Sequence, residues 1–220
     1  MIIRVFIVFL ASVGPLAFPL AQLGYGSLHD LALVAVLPSV GALVVVWSHA
    51  RHRGRPDIAL ILSRGAFSGT VATLALEAVR YSSFRLGFMP GNLPQLMGVL
   101  ILDRFALGPS AWSDLAGFAY HFWNGAAFGI VFVALTRGQS ITLAVLYGIA
   151  IGLGFLISPV VQSVGVGLFG REFGWHFAAT VLTAHVAFGV TMGLLLNGSA
   201  LKNCAGHVRS KSVGSIAMRF

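Results

Sequence analysis

Acidic residues are scarce in this chain: Asp and Glu together number six in 220 residues. That is too few for a carboxylate-rich metal centre. Charged residues of both signs make up only 9%, where a soluble domain carries roughly 25%. With so little charge the surface cannot be covered by polar groups, so much of it is expected to face lipid. Cysteine is limited to Cys204, which excludes an intrachain disulfide. In a polar tail that thiol reads as inert sooner than as a palmitoylation site. Signature motifs are also missing. There is no phosphate-cradling G-x-x-x-x-G-K-[ST], no H-E-x-x-H, no C-x-x-C and no G-x-S-x-G elbow. A membrane enzyme is therefore the less favoured class, and no catalytic residue is assigned.

What is present is apolar: 57% of the residues, a proportion that fits one helical bundle better than several domains. A membrane helix needs about 20 mostly apolar residues. Six stretches qualify, at 5–23, 31–48, 65–84, 115–135, 141–162 and 175–196. None alternates like a barrel strand. The expectation is an all-α membrane protein with six transmembrane helices. Pro15, Pro19 and Pro38 predict kinks in the first two. Arg4 followed by an apolar run also resembles a signal peptide, but Pro19 and Ala21 make a poor cleavage site, so a retained span is the preferred reading.

The net charge of +8 does not imply nucleic acid, because the basic residues sit at the ends of apolar runs, as topology signals do. With the N-terminus inside, ten of the 14 Lys and Arg are cytoplasmic, including the cluster Arg51, Arg53, Arg55. Arg80, Arg85, Arg104 and Arg171 fall outside. This predicts both termini in the cytoplasm and a bacterial inner-membrane location. Tyr25, Tyr81, Trp112, Tyr120, Trp123 and Trp175 fall near the outer boundary, where amphipathic rings are favoured. Three regions follow: a hairpin with a basic turn at 1–56, a core at 57–196, and a basic cytoplasmic tail at 197–220 that suits anionic lipid headgroups. Beyond the bilayer itself, a second copy of the chain or a membrane-complex partner is the expected partner class.

The outer connection between the third and fourth spans is long. Asn92 can cap a helix and Pro94 suits its first turn. An interfacial helix near 94–107 is expected, stopped by Gly108 and Pro109. It is read as a surface cap, or more sharply as a lid over a site.

The last four spans carry an internal likeness. The fourth holds His121, Gly125 and Gly129, and the sixth holds His185, Gly189 and Gly193, both as H-x-x-x-G-x-x-x-G. The third and fifth hold Gly65/Gly69 and Gly148/Gly152. Spans three–four and five–six thus read as two copies of one hairpin, a parallel repeat. Small residues four apart clear a helix face for close packing, so these eight glycines are the expected helix contacts.

Residues 64–196, through the H-x-x-x-G-x-x-x-G helices, resemble the four-helix cores of small bacterial inner-membrane proteins of uncharacterised function. The resemblance implies a bundle in a bacterial membrane. It implies no activity and no functional residue.

Polar residues within a span are functional candidates. Glu77 lies 13 residues past Arg64, about 20 Å along a helix. His121 precedes Arg137 by 16 residues and His185 precedes Lys202 by 17, or roughly 24–26 Å. All three fall in the outer half, with Arg80 one turn from Glu77 and Asn124 close by. Three readings stay open. One is a proton or small-solute path through Glu77, His121 and His185, helped by a kink near Ser158–Pro159. Another is a haem or metal bound by His121 and His185, although two histidines do not close a zinc site. The plainest is interhelical hydrogen bonding, with Asn124, Gln162, Thr180 and Thr183 as partners. The first, broadened to transport or a membrane-accessory role without an assignable substrate, is the functional expectation.

Overall fold

A computed structural model describes the backbone of residues 2–136 and 140–216, and the side chains among these as far as residue 198. Arg137, Cys204 and the Lys and Arg side chains of the tail lie outside the described set, so the readings made on them stand as expectations.

Among the described residues there is helix and no strand. Helix α1 is Ile2–Gln22. The short α2, Leu28–Leu31, passes through a π turn at Ala32–Val36 into α3, Leu37–His52. Ser27 caps α2 by accepting from the Asp30 amide at 3.0 Å. The π turn ends two residues before Pro38, whose missing amide disturbs the regular ladder. Next come α4 at Pro56–Arg85, α5 at Leu93–Ile101, and α6 at Ala111–Thr136. Then follow α7 at Ile141–Leu156, the short α8 at Pro159–Ser163, and α9 at Trp175–Ile216. Six helical stretches are long and apolar enough to cross a membrane: Ile2–Gln22, Leu28–His52, Pro56–Arg85, Ala111–Thr136, Ile141–Ser163 and Trp175–Gly198. The break expected at Ser158–Pro159 falls there, between α7 and α8.

Helix α4 is the longest of the spans and the hub. It packs on α6 along one flank, on α9 along another, and meets α3. Helix α7 lies on α9, while α1 and α5 lie on α6. Burial separates inner from outer spans: half of the α4 window and 56% of the α6 window are buried, against 17% for α2–α3 and 22% for α7–α8. The outer helices turn large apolar side chains outward, among them Val34, Val45 and Leu146. In water such a surface would drive aggregation; in a bilayer it is the solvated face.

Seven of the eight glycines sit where helix backbones approach closely, and Gly152 faces the His185 side chain. A Cβ on Gly65 would stand 2.5 Å from the Ile130 Cα, and one on Gly69 would strike the Gly125 carbonyl. On the other hairpin a Cβ on Gly189 would come within 2.7 Å of the Val145 Cα, and one on Gly193 within 2.9 Å of the Ile141 Cα. Without side chains the helices gain backbone-to-backbone van der Waals contact.

Helix α5 is shorter than the expected 94–107. It ends at Ile101, because Asp103 takes a left-handed φ of 50°. The Arg104 amide then donates to the Val99 carbonyl at 2.7 Å and the Asp103 amide to the Leu100 carbonyl at 3.3 Å. That crossed pair is a Schellman stop. A separate 3₁₀ turn follows at Phe105–Leu107. Nor does α5 only cap the surface. Gly98 and Gly117 bring it against α6 so closely that a Cβ on Gly98 would strike the Ser113 carbonyl.

Candidate intramembrane site

Glu77 and Arg80 are one turn apart on α4, a spacing that turns both side chains to the same flank. The Arg80 Nε donates to Glu77 Oε1 and its Nη2 to Oε2, each at 2.6 Å. This bidentate fork is buried: the Arg80 side chain is 6% exposed and that of Glu77 12%. Arg80 does not snorkel outward. Nη2 also donates to Asn92 Oδ1 at 3.1 Å. Across the α4–α6 contact, His121 Nε2 lies 2.9 Å from Glu77 Oε1. The distance is that of an ion pair, but the direction is not that of a ring hydrogen bond, and Nε2 has no hydrogen-bond partner.

Glu77, Arg80, His121, Asn124 and His185 therefore share one neighbourhood, though not one bonded network. All but Glu77 line a cavity of about 330 Å³ within the bundle. Its wall is mainly apolar, with contributions from Phe18 of α1, Leu76 of α4, Met97 of α5, Phe128 of α6, Phe155 of α7 and Phe188 of α9. Among the described residues, four buried polar atoms on this lining lack a hydrogen-bond partner: Nη1 of Arg80, Nε2 of His121, Oδ1 of Asn124 and Oγ of Ser158. His185 stands apart from the ion pair. Its Nδ1 is 2.7 Å from the Val181 carbonyl one turn back, which assigns the proton to Nδ1 and leaves Nε2 as the lone-pair nitrogen.

The two hairpins pack in a register two turns different from that suggested by their glycine pairs. Gly125 sits against Gly69 and Thr73, and Gly129 against Gly65 and Gly69. Gly189 sits against Ala144, Val145 and Gly148, and Gly193 against Ile141 and Ala144. In packing terms, Gly65, Gly69 and Thr73 thus correspond to Ile141, Val145 and Gly148. Continuing the same series brings Glu77 opposite Gly152 of the other hairpin. A Cβ on Gly152 would stand 3.1 Å from the His185 Cβ and Cγ. Where one hairpin sets a carboxylate beside its histidine, the other sets a glycine.

Three contributors escaped the sequence reading. Asn92 occupies the N-cap position of α5 with extended backbone, as its sequence position suggests, but its side chain makes no cap bond. It is turned to Arg80 instead. His29 was given no role, yet its Nδ1 lies 2.7 Å from the Ile101 carbonyl and ties the first hairpin to the end of α5. The first hairpin also takes part, because α1 forms one wall of the cavity. Gly14 lets it approach α6, where the Tyr120 hydroxyl donates to the Gly14 carbonyl at 2.7 Å. A Cβ at Gly14 would stand 2.6 Å from the Trp123 Nε1.

Among the described residues no three His, Cys, Asp or Glu side chains gather in a way that could hold a metal ion. His121 and His185 share the cavity, but the nitrogen of His121 nearest to another helix already faces Glu77.

The fold, then, is that of a helical protein with six membrane-compatible spans, the make-up of a multi-pass membrane protein. Compared with known proteins, the chain matches no family model, no curated protein and no solved structure.

Proposed function

We propose that the chain is a small multi-pass inner-membrane protein of transport or membrane-accessory type, working through the cavity in its outer half. One observation carries the reading. Glu77, Arg80 and His121, from two helices, meet at the edge of a mainly apolar cavity. Buried ionisable groups are costly in a membrane and mark solute or proton routes. The carboxylate–imidazole contact is a place where a proton could be exchanged, and the break before Pro159 exposes a polar Ser158 to the same space.

Both termini are assigned to the cytoplasm and the cavity to the far side, on the bias of Lys and Arg. The likeness of the two hairpins supports a duplicated core in which the second copy has lost, or never had, the carboxylate. In this reading Glu77 gives the first copy its chemistry, and the second supplies cavity wall. The test is proton movement in liposomes reconstituted with protein, measured during uptake of a panel of small solutes. Glu77→Gln is expected to abolish the solute-linked proton signal, and unchanged flux removes Glu77 from the mechanism.

A second reading, a haem- or metal-binding redox protein, draws on the His185 geometry. With Nδ1 held by Val181, its Nε2 is presented as a ligand nitrogen. A Soret band lost in both His121→Ala and His185→Ala supports it. A colourless, metal-free preparation sinks it.

A further inference from the structure

The cavity has a polar pole, an apolar body and an edge that reaches the outer surface of the bundle. Of the five N–H bonds of Arg80, one at Nε and two at Nη2 are engaged by Glu77 and Asn92. Nη1 is buried without a partner on the cavity lining. An unmet donor on a buried guanidinium is costly, and it favours any oxygen that can reach it. Ser158 Oγ offers a second donor to the same space and Asn124 Oδ1 an acceptor. The remainder of the wall is mainly aliphatic and aromatic, with His121, His185, Thr73 and Thr180 set among it.

Charge decides what kind of oxygen fits. Glu77 already neutralises Arg80 through two bonds. A carboxylate or phosphate arriving here would be buried without a counter-ion of its own, and its desolvation would outweigh the added contact. An uncharged carbonyl or hydroxyl oxygen needs only the hydrogen bond.

The way in is lateral. Leu16 of α1 lines the cavity yet is 54% exposed on the outside of the bundle. Gly154 of α7 also lines it and is exposed, with nothing within 4 Å of where a Cβ would stand. Residues that belong to both surfaces mark an opening between α1 and α7. Leu16 lies 12 residues past Arg4 and Gly154 lies 13 past Ile141, each about 18–20 Å from the cytoplasmic end. That depth is inside a hydrocarbon core about 30 Å thick, so the opening faces acyl chains.

We propose that the cavity takes an uncharged amphiphile from the membrane, an acyl chain with an ester carbonyl and a free hydroxyl, entering between α1 and α7. The chain lies among Phe18, Phe128 and Phe155. The carbonyl accepts from Arg80 Nη1, and the hydroxyl donates to Asn124 Oδ1. This deepens the proposed function by naming the class of molecule handled, and it rests on the cavity being the working site.

Photolabelling tests it. The probe is a monoacylglycerol with a diazirine in its acyl chain, added to the purified full-length protein in detergent, with labelled residues mapped by mass spectrometry. Labels are expected on cavity residues of α6 and α7. Gly154→Trp fills the opening without touching the core and is expected to cut that labelling by about tenfold, as is the charge-neutral pair Glu77→Gln/Arg80→Gln, which removes one hydrogen bond from a charged donor. Gly41→Trp, on an exposed face of α3 with open space around it, leaves labelling unchanged. Labels confined to lipid-facing residues and equal in all variants overturn the proposal. So does equal or stronger cavity labelling by the ionised diazirine fatty acid. If Glu77-dependent flux is found while cavity labelling is absent, only the ligand class falls. Cavity labelling without any flux supports the ligand site and removes transport.

Discussion

Glu77 and His121 sit on different helices, and their side chains meet at 2.9 Å inside the bundle. The meeting is set by glycine packing. Gly69 and Gly125 draw α4 and α6 together two turns and one turn away from the two side chains, so the polar contact depends on residues that have no side chain. The same Glu77 holds Arg80, which gives it a structural duty alongside any chemical one.

That duty predicts an asymmetry between single and paired substitutions. Glu77→Ala strands a guanidinium that is 94% buried by its side-chain exposure of 6%. Breaking one side of a buried pair costs roughly 3–5 kcal/mol, while replacing both sides is often close to neutral. Unfolding in a detergent series should place Glu77→Ala well below wild type and Glu77→Gln/Arg80→Gln near it. Equal losses in both would show that the pair does not act as a unit.

Gly69→Ala is expected to separate α4 from α6, because the added methyl meets the Gly125 backbone, which cannot turn aside. Overpacking of this kind costs about 1–3 kcal/mol. Gly41→Ala, with nothing within 4 Å, is expected to be neutral or slightly stabilising. If the two variants melt together, the close approach at Gly69 is not where the stability resides.

Asn92 separates capping from network. Were it a helix cap, Asn92→Ser would be harmless, since serine caps equally well. Its oxygen instead accepts from Arg80 at 3.1 Å, and a bond to a charged donor contributes roughly 1.5–3 kcal/mol. Serine is too short to keep that bond, so Asn92→Ser should destabilise about as much as Asn92→Ala. A wild-type melting curve for Asn92→Ser would return the residue to a capping role.

Orientation is open to direct reading. A reporter active only in the cytoplasm should work when fused after Phe220 and fail when inserted at Gly87, an exposed turn residue with a φ of 79°. The reverse pattern overturns the assignment of both termini to the cytoplasm.

Much of this fold was legible in the sequence because membrane spans announce themselves by hydropathy alone. All six were found, with ends off by as many as nine residues. The largest difference is at α4, which starts at Pro56 and not at Gly65, because Arg64 interrupts the apolar run. In the structure Arg64 lies inside the helix and its Nη2 donates to the Leu196 carbonyl of α9. That Glu77, His121 and His185 lie at comparable levels of the bundle was also legible, since helix rise is fixed. Lateral neighbours were not. Asn92 carries the local signal of a cap, and its partner Arg80 is found only by folding. Gly14 has no second glycine four residues away, so nothing marked it as a contact. The two-turn offset between the hairpins was hidden because Ala144 and Thr73 do at the interface what the glycine pattern reserved for glycine.

The central claim is that the Glu77–Arg80–His121 cluster works at the cavity beyond holding helices together. The most direct measurement compares proton-linked solute uptake by liposomes carrying wild-type protein with uptake by liposomes carrying Glu77→Gln/Arg80→Gln at matched protein content and matched melting. The account predicts a signal in the wild type and its loss in the folded pair variant. Full uptake by that variant, or none by the wild type across the solute panel, would contradict it.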